Sequence, residues 1–133
     1  MAKSKIIFWV ATALLILWEG AMPLGSLLFT PDQATVGTRP LGYPDYFAHA
    51  LIICKALGVL AITLPGVRPL LREWAYAGLT FNLLFAAYSH ACVDKNVGFV
   101  FMPLLVLVIL AISYVYRRKL RAAAGSRSEN TFN

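Results

Sequence analysis

The sequence predicts an all-α integral membrane protein, a four-helix bundle with cytoplasmic N and C termini. Three observations lead there: four apolar stretches of bilayer length, a strongly polar residue near the middle of three of them, and a lopsided distribution of Lys and Arg. Hydrophobic residues make up 59% of the chain and charged residues 14%, with a mean hydropathy of +0.69. Soluble domains carry about a quarter charged residues, so a soluble globular class is excluded. A chain of 133 residues holds one domain and leaves no room for a separate soluble catalytic module.

A helix needs about 20 residues to cross ~30 Å of hydrocarbon at 1.5 Å per residue. Residues 6–28, 46–64, 74–91 and 97–116 meet that requirement. Turn and breaker residues fill the gaps: Pro31, Gly37, Pro40, Gly42 and Pro44, then Pro65, Gly66 and Pro69, then Asp94 and Asn96. Residues 1–124 form the expected four-span membrane domain, and 125–133 a polar tail expected to be disordered. Lys3 and Lys5 precede an apolar run too long for a signal-peptide core, with no Ala-x-Ala-like site after it.

Lys3, Lys5, Arg68, Arg72, Arg117, Arg118, Lys119, Arg121 and Arg127 fall on one side of this arrangement, and Arg39 and Lys95 on the other. Nine against two is a positive-inside signal that places both termini in the cytoplasm. The expected location is a bacterial inner membrane, as a multi-pass protein. The basic residues flank helix ends and do not interleave with aromatics, so the pI of 9.6 reports topology and no nucleic-acid partner is expected. The run Arg117-Arg118-Lys119-Leu120-Arg121 reads first as a stop-transfer anchor and second as a site for anionic lipid.

Depth brings the polar residues together. Lys55 and Asn82 fall at the centres of their segments, and Glu19 lies about 3 Å towards the outside. A charge at the bilayer centre costs roughly 2.5–3.5 kcal/mol, so these groups must face protein, water or a partner. Two readings stay open: a buried Glu19–Lys55 pair fixing register, with Asn82 bonded across helices, or a site for a proton, an ion or a polar ligand. Pro23 cannot donate to the Glu19 carbonyl and, with Gly20, predicts a kink just outside the layer. In the third segment Ala75, Gly78, Asn82, Ala86 and Ser89 form a stripe expected to pack on other helices, with Leu79, Leu83 and Leu84 on the opposite, lipid-facing side. The outer helix ends hold Asp45, His49, His90 and Cys92, with Asp94 beyond. Their scattered spacing matches no metal-ligand pattern, so no metal is expected. His90 and Ser89 remain candidates at the mouth of a ligand site. Glu73 opens the third segment, where it complements the helix dipole and is expected to pair with Arg68 or Arg72.

Specific blocks carry a family likeness. Gly42-Tyr43-Pro44, Lys55-Ala56-Leu57-Gly58, Arg72-Glu73-Trp74-Ala75-Tyr76-Ala77-Gly78, Ala87-Tyr88-Ser89-His90, Pro103-Leu104 and Ser113-Tyr114 resemble the DoxX-like family of small membrane proteins, from about Gly42 to Arg118. The resemblance implies a four-helix membrane bundle, with Lys55, Glu73, Trp74, Tyr76, Ser89 and His90 as family-typical positions. The wider superfamily includes a subunit of a thiosulfate:quinone oxidoreductase, a maturation protein for a quinone-dependent amine dehydrogenase, and a vertebrate receptor-assembly chaperone. The chain carries no catalytic residue pattern and no flavin, haem or iron–sulfur motif, which leaves its enzymatic character open.

The leading expectation is a DoxX-like membrane protein that binds a hydrophobic ligand or partner in a non-enzymatic assembly or accessory role. Its ligand-binding residues are Glu19, Lys55, Asn82, Ser89 and His90. Alternatives are a quinone-binding subunit of a membrane oxidoreductase and a small proton-linked transporter. No covalent cofactor is expected, and quinone is the candidate non-covalent one. The partners expected are membrane lipid, a membrane or redox protein, and a second copy of the chain.

Overall fold

A computed structural model describes residues 2–131. Four long helices make up most of it: α1 (Ala2–Phe29), α2 (Asp45–Thr63), α3 (Pro69–Cys92) and α4 (Val97–Thr131). The connection between α1 and α2 contains one helical turn, Pro31–Ala34, and a 3₁₀ turn, Arg39–Leu41.

Local chemistry sets these limits. Pro44 is extended at ψ 156° and leads into α2, whose last residue is followed by Leu64, held extended at ψ 138° by Pro65. Gly66 takes φ +78° in the turn that follows, a conformation that a side chain would strain. Pro69 then starts α3, where its missing N–H costs nothing. Within α1 the buried residues Phe8, Thr12, Leu15 and Glu19 recur at spacings of four, three and four, one face of a helix.

α1 runs along α4, α4 along α3, and α3 along α2, while α2 meets the middle of α1. Each long helix therefore packs on two others. Leu15, Val59, Ile62, Tyr76, Leu79, Leu83, Val106 and Leu110 form the core between them. Gly20 faces Val59 where α1 meets α2, and a Cβ there would make an ordinary contact at 3.4 Å. Outward, Trp9, Phe81, Phe101 and Leu105 are exposed, as suits a surface solvated by lipid. α1, α2 and α4 are long and apolar enough to cross a membrane; α3 has the length, but its small and polar residues keep it less apolar.

Three expectations need correction. The stripe on α3 is not the tightly packed face: Gly78 is exposed with open space around it, whereas Leu79 and Leu83 are 3% and 2% exposed in the core. Bulk decides this, because leucines fill the space between helices and the small residues leave it open. The second difference is length, since α4 continues through residues 125–131, where a disordered tail was expected. Ala122, Ala123 and Ala124 carry the helix past the single Gly125, and the last two residues of the expected tail lie outside the described residues. Finally, Glu73 accepts a hydrogen bond from the Tyr114 hydroxyl at 2.9 Å instead of pairing with Arg68 or Arg72.

Candidate functional site

Glu19 sits in a π-helical segment, Ile16–Ala21, four residues before Pro23. The Met22 N–H reaches back five residues to the Leu17 carbonyl, the widened turn that defines such a segment. The sequence predicts a kink here, and the helix widens into a π-turn at this point, a feature that accompanies kinks. Glu19 is 1% exposed although it lies at mid-helix.

Its partners come from two other helices. Lys55 Nζ on α2 lies 3.1 Å from Glu19 Oε2, and Asn82 Nδ2 on α3 donates to the same oxygen at 3.3 Å. The depth argument thus brings all three groups into contact. No buried side-chain nitrogen or oxygen lacks a hydrogen-bond partner among the described residues, so the polar layer is internally satisfied. Satisfaction is not closure, however. The Lys55 side chain keeps 19% exposure while Glu19 keeps 2%.

That exposure faces a cavity of about 700 Å³ lying between the charged layer and the outer helix ends. Glu19, Lys55 and Asn82 line its floor; Ser89 and His90 line it further out. All five predicted site residues therefore border one space. The walls are mostly apolar, with Trp18, Phe47, Leu51, Ile52, Phe85 and Met102 among them.

The roof was not foreseen. Gln33, Ala34, Gly37, Thr38, Leu41 and Tyr43, all from the long α1–α2 connection, line the end of the cavity away from the charged layer. Tyr43 and Ser89 hydroxyls lie 2.9 Å apart and pin this connection to α3, and Arg39 holds Asp45 through two hydrogen bonds of 2.8 and 2.7 Å. A loop of this length with no long element of its own is itself a signal, because such loops are usually lids or binding segments.

Beside the mouth, His90 Nδ1 lies 2.8 Å from Asp94 Oδ2, and the Asn96 backbone N–H donates to Asp94 Oδ1 at 3.1 Å. His90, then that backbone N–H, hold the Asp94 carboxyl below the ordinary carboxylate range. His49, on the same helix as Lys55, does not border the cavity. Cys54 and Cys92 are free and exposed, and among the described residues no group of three His, Cys, Asp or Glu could hold a metal.

Two polar arrangements escaped sequence reasoning. Ser113 Oγ lies 2.9 Å from both Thr12 Oγ1 and the Tyr76 hydroxyl, a buried cluster joining α1, α3 and α4 on the inner side of the core. The 8-12-15-19 period on α1 puts Thr12 inward and was its only visible trace. In addition, Arg72 donates to the Ala61 carbonyl at 3.2 Å and to the Leu64 carbonyl, and Arg117 donates to the Ile62 carbonyl at 2.9 Å. These residues were read as topological charges, and they also complete the C-terminal end of α2.

Apolar helices of membrane length, large outward-facing hydrophobic side chains and an ion pair held deep within the helices define a membrane protein. The sequence model of the DoxX-like family matches residues 7–113, and the chain belongs to that family. The match begins in α1, well before the Gly42 limit drawn from individual motifs. No curated protein and no solved structure matches the chain.

Proposed function

We propose that the protein is a four-span bundle of a bacterial inner membrane, with both termini cytoplasmic, that holds a hydrophobic compound with one polar head as an accessory or assembly protein. The supporting observation is that the Glu19–Lys55–Asn82 layer borders a cavity instead of being packed solid. Its volume of about 700 Å³ lies within the usual range for small-molecule sites, ~300–1,000 Å³.

The site complements a particular head. Lys55 pairs with Glu19 through its charge and has three N–H donors, which leaves donors for an acceptor oxygen on the ligand. Asn82 uses its amide nitrogen on Glu19, and its carbonyl oxygen suits a ligand donor. The tail would lie along Trp18, Leu51, Ile52 and Phe85. A ring with carbonyl oxygens that bears an isoprenoid tail has this form, and the His90–Asp94 pair at the mouth supports a quinone-binding role as the second reading.

Mass spectrometry of the protein purified in mild detergent tests both readings. The wild type should retain a hydrophobic small molecule that Ala86→Trp, which fills the cavity from α3, loses. A retained quinone selects the redox role, and a co-purified polypeptide or another ligand selects the accessory one. Identical extracts from wild type and Ala86→Trp, containing only bulk lipid, would overturn the ligand site.

A further inference from the structure

At the opposite end from the cavity, two clefts share Phe8, Trp9 and Leu120 and so form one continuous groove between α1, the end of α2 and α4. Each has a volume of about 600 Å³ or slightly less. Five basic residues border the groove: Lys5, Arg72, Arg117, Arg121 and Arg127. No Asp or Glu is among the described residues lining it. The nearest acidic residue on α3, Glu73, is occupied by Tyr114.

The cationic groups are partly preorganised. Arg72 and Arg117 are half-buried and fixed by the α2 carbonyls, so their guanidinium planes are set before any ligand arrives. Each retains N–H donors, because a guanidinium has five and these bonds use two on Arg72 and one on Arg117. Arg117 and Arg121 lie close enough to Arg72 for their charges to repel it. Among the described residues none of the five forms an ion pair. Such a convergence of like charge is relieved by an anion with several acceptor oxygens.

We propose that this groove binds the phosphate headgroup of an anionic glycerophospholipid of the cytoplasmic leaflet. Phe8 and Trp9 make the adjoining wall apolar and aromatic, which suits the junction of headgroup and acyl chain and does not suit a freely soluble phosphate. The groove shares no lining residue with the ligand cavity, so the two are separate sites.

The test uses the full chain in lipid nanodiscs containing equal amounts of phosphatidylglycerol and phosphatidylcholine, followed by gentle detergent release and native mass spectrometry. The wild type should retain phosphatidylglycerol in clear excess. Lys5→Gln and Arg121→Gln, both exposed and outside the α2 cap, should each lower that preference about fivefold, the effect of one basic residue near a membrane surface. Lys95→Gln, exposed in the α3–α4 connection at the other end of the molecule, should leave it unchanged. Equal retention of the two lipids, or a preference unmoved by both substitutions, would overturn the proposal. Displacement of the lipid by millimolar inorganic phosphate would reassign the groove to a soluble anion and overturn the lipid assignment too.

Discussion

Removal of the Lys55 ammonium offers the sharpest test of how the charged layer is held. Lys55→Met deletes the ammonium paired with Glu19 Oε2 at 3.1 Å and leaves Asn82 Nδ2, which donates to the same oxygen at 3.3 Å, as its remaining partner. Breaking a buried pair from one side costs about 3–5 kcal/mol. The 19% exposure of Lys55 lets cavity water reach the site, which argues for the lower figure, about 3 kcal/mol. For a chain of this size that corresponds to a fall in Tm of about 10 °C. Glu19→Gln removes the other charge, and the partly wet lysine left behind is easier to solvate than a carboxylate that is 2% exposed. Its cost should therefore be smaller, about 1–2 kcal/mol. The double variant should recover part of the Lys55→Met loss, which requires a coupling larger than the Glu19→Gln cost, about 2–3 kcal/mol. Tryptophan fluorescence melts of the four proteins in nanodiscs measure all three differences. Additivity within about 0.5 kcal/mol, or a larger loss from Glu19→Gln than from Lys55→Met, would refute the reasoning.

Three further outcomes follow from other parts of the molecule. Ser113→Ala removes the atom shared by Thr12 and Tyr76 and leaves two buried hydroxyls unpaired, so it should cost about 2–3 kcal/mol in thermal melts, against about 1 kcal/mol for Tyr76→Phe, which spares the Thr12–Ser113 bond. In a background with Cys54 and Cys92 changed to Ser, Val36→Cys should react with a membrane-impermeant thiol reagent in intact cells and Ser126→Cys should not. Val36 suits this because it is 57% exposed, whereas the adjacent Thr35 is 2% exposed; reversed labelling would invert the proposed orientation. The Asp94 carboxyl is held below its ordinary value, so its contribution to stability is present above the unfolded value of ~3.9 and is lost as pH falls through the lower folded value. Melts of wild type and Asp94→Asn should accordingly differ at neutral pH and converge under strong acid, and a constant difference would dissociate Asp94 from the effect.

The central layer was legible because two simple rulers agree on it. Depth along each segment puts Glu19, Lys55 and Asn82 at one level, and the helical period through Phe8, Thr12 and Leu15 turns Glu19 inward. Neither ruler carries information across a loop. The cavity roof depends on where residues 30–44 settle, and the Tyr43–Ser89 contact joins residues 46 positions apart. The α3 stripe misled for a related reason: small residues permit close packing without requiring it, and Leu79 and Leu83 lie only one position from Gly78 and Asn82, a rotation of about 100°. Counting Arg72 and Arg117 as charges located their end of the molecule but not their acceptors, because an open carbonyl at the end of α2 leaves no mark in the identity of Ala61, Ile62 or Leu64.

Those carbonyls also impose an order on biosynthesis. α2 is finished by two side chains that are translated later, one 11 residues and one 55 residues downstream of the groups they satisfy. When α2 first enters the bilayer, its last turn has only headgroups and water as partners. Emergence of Arg72 supplies the Ala61 and Leu64 carbonyls from within the α2–α3 hairpin, whereas the Ile62 carbonyl waits for the end of α4. A chain halted before Arg117 therefore leaves the Ile62 carbonyl to solvent while the rest of the α2 terminus is already capped.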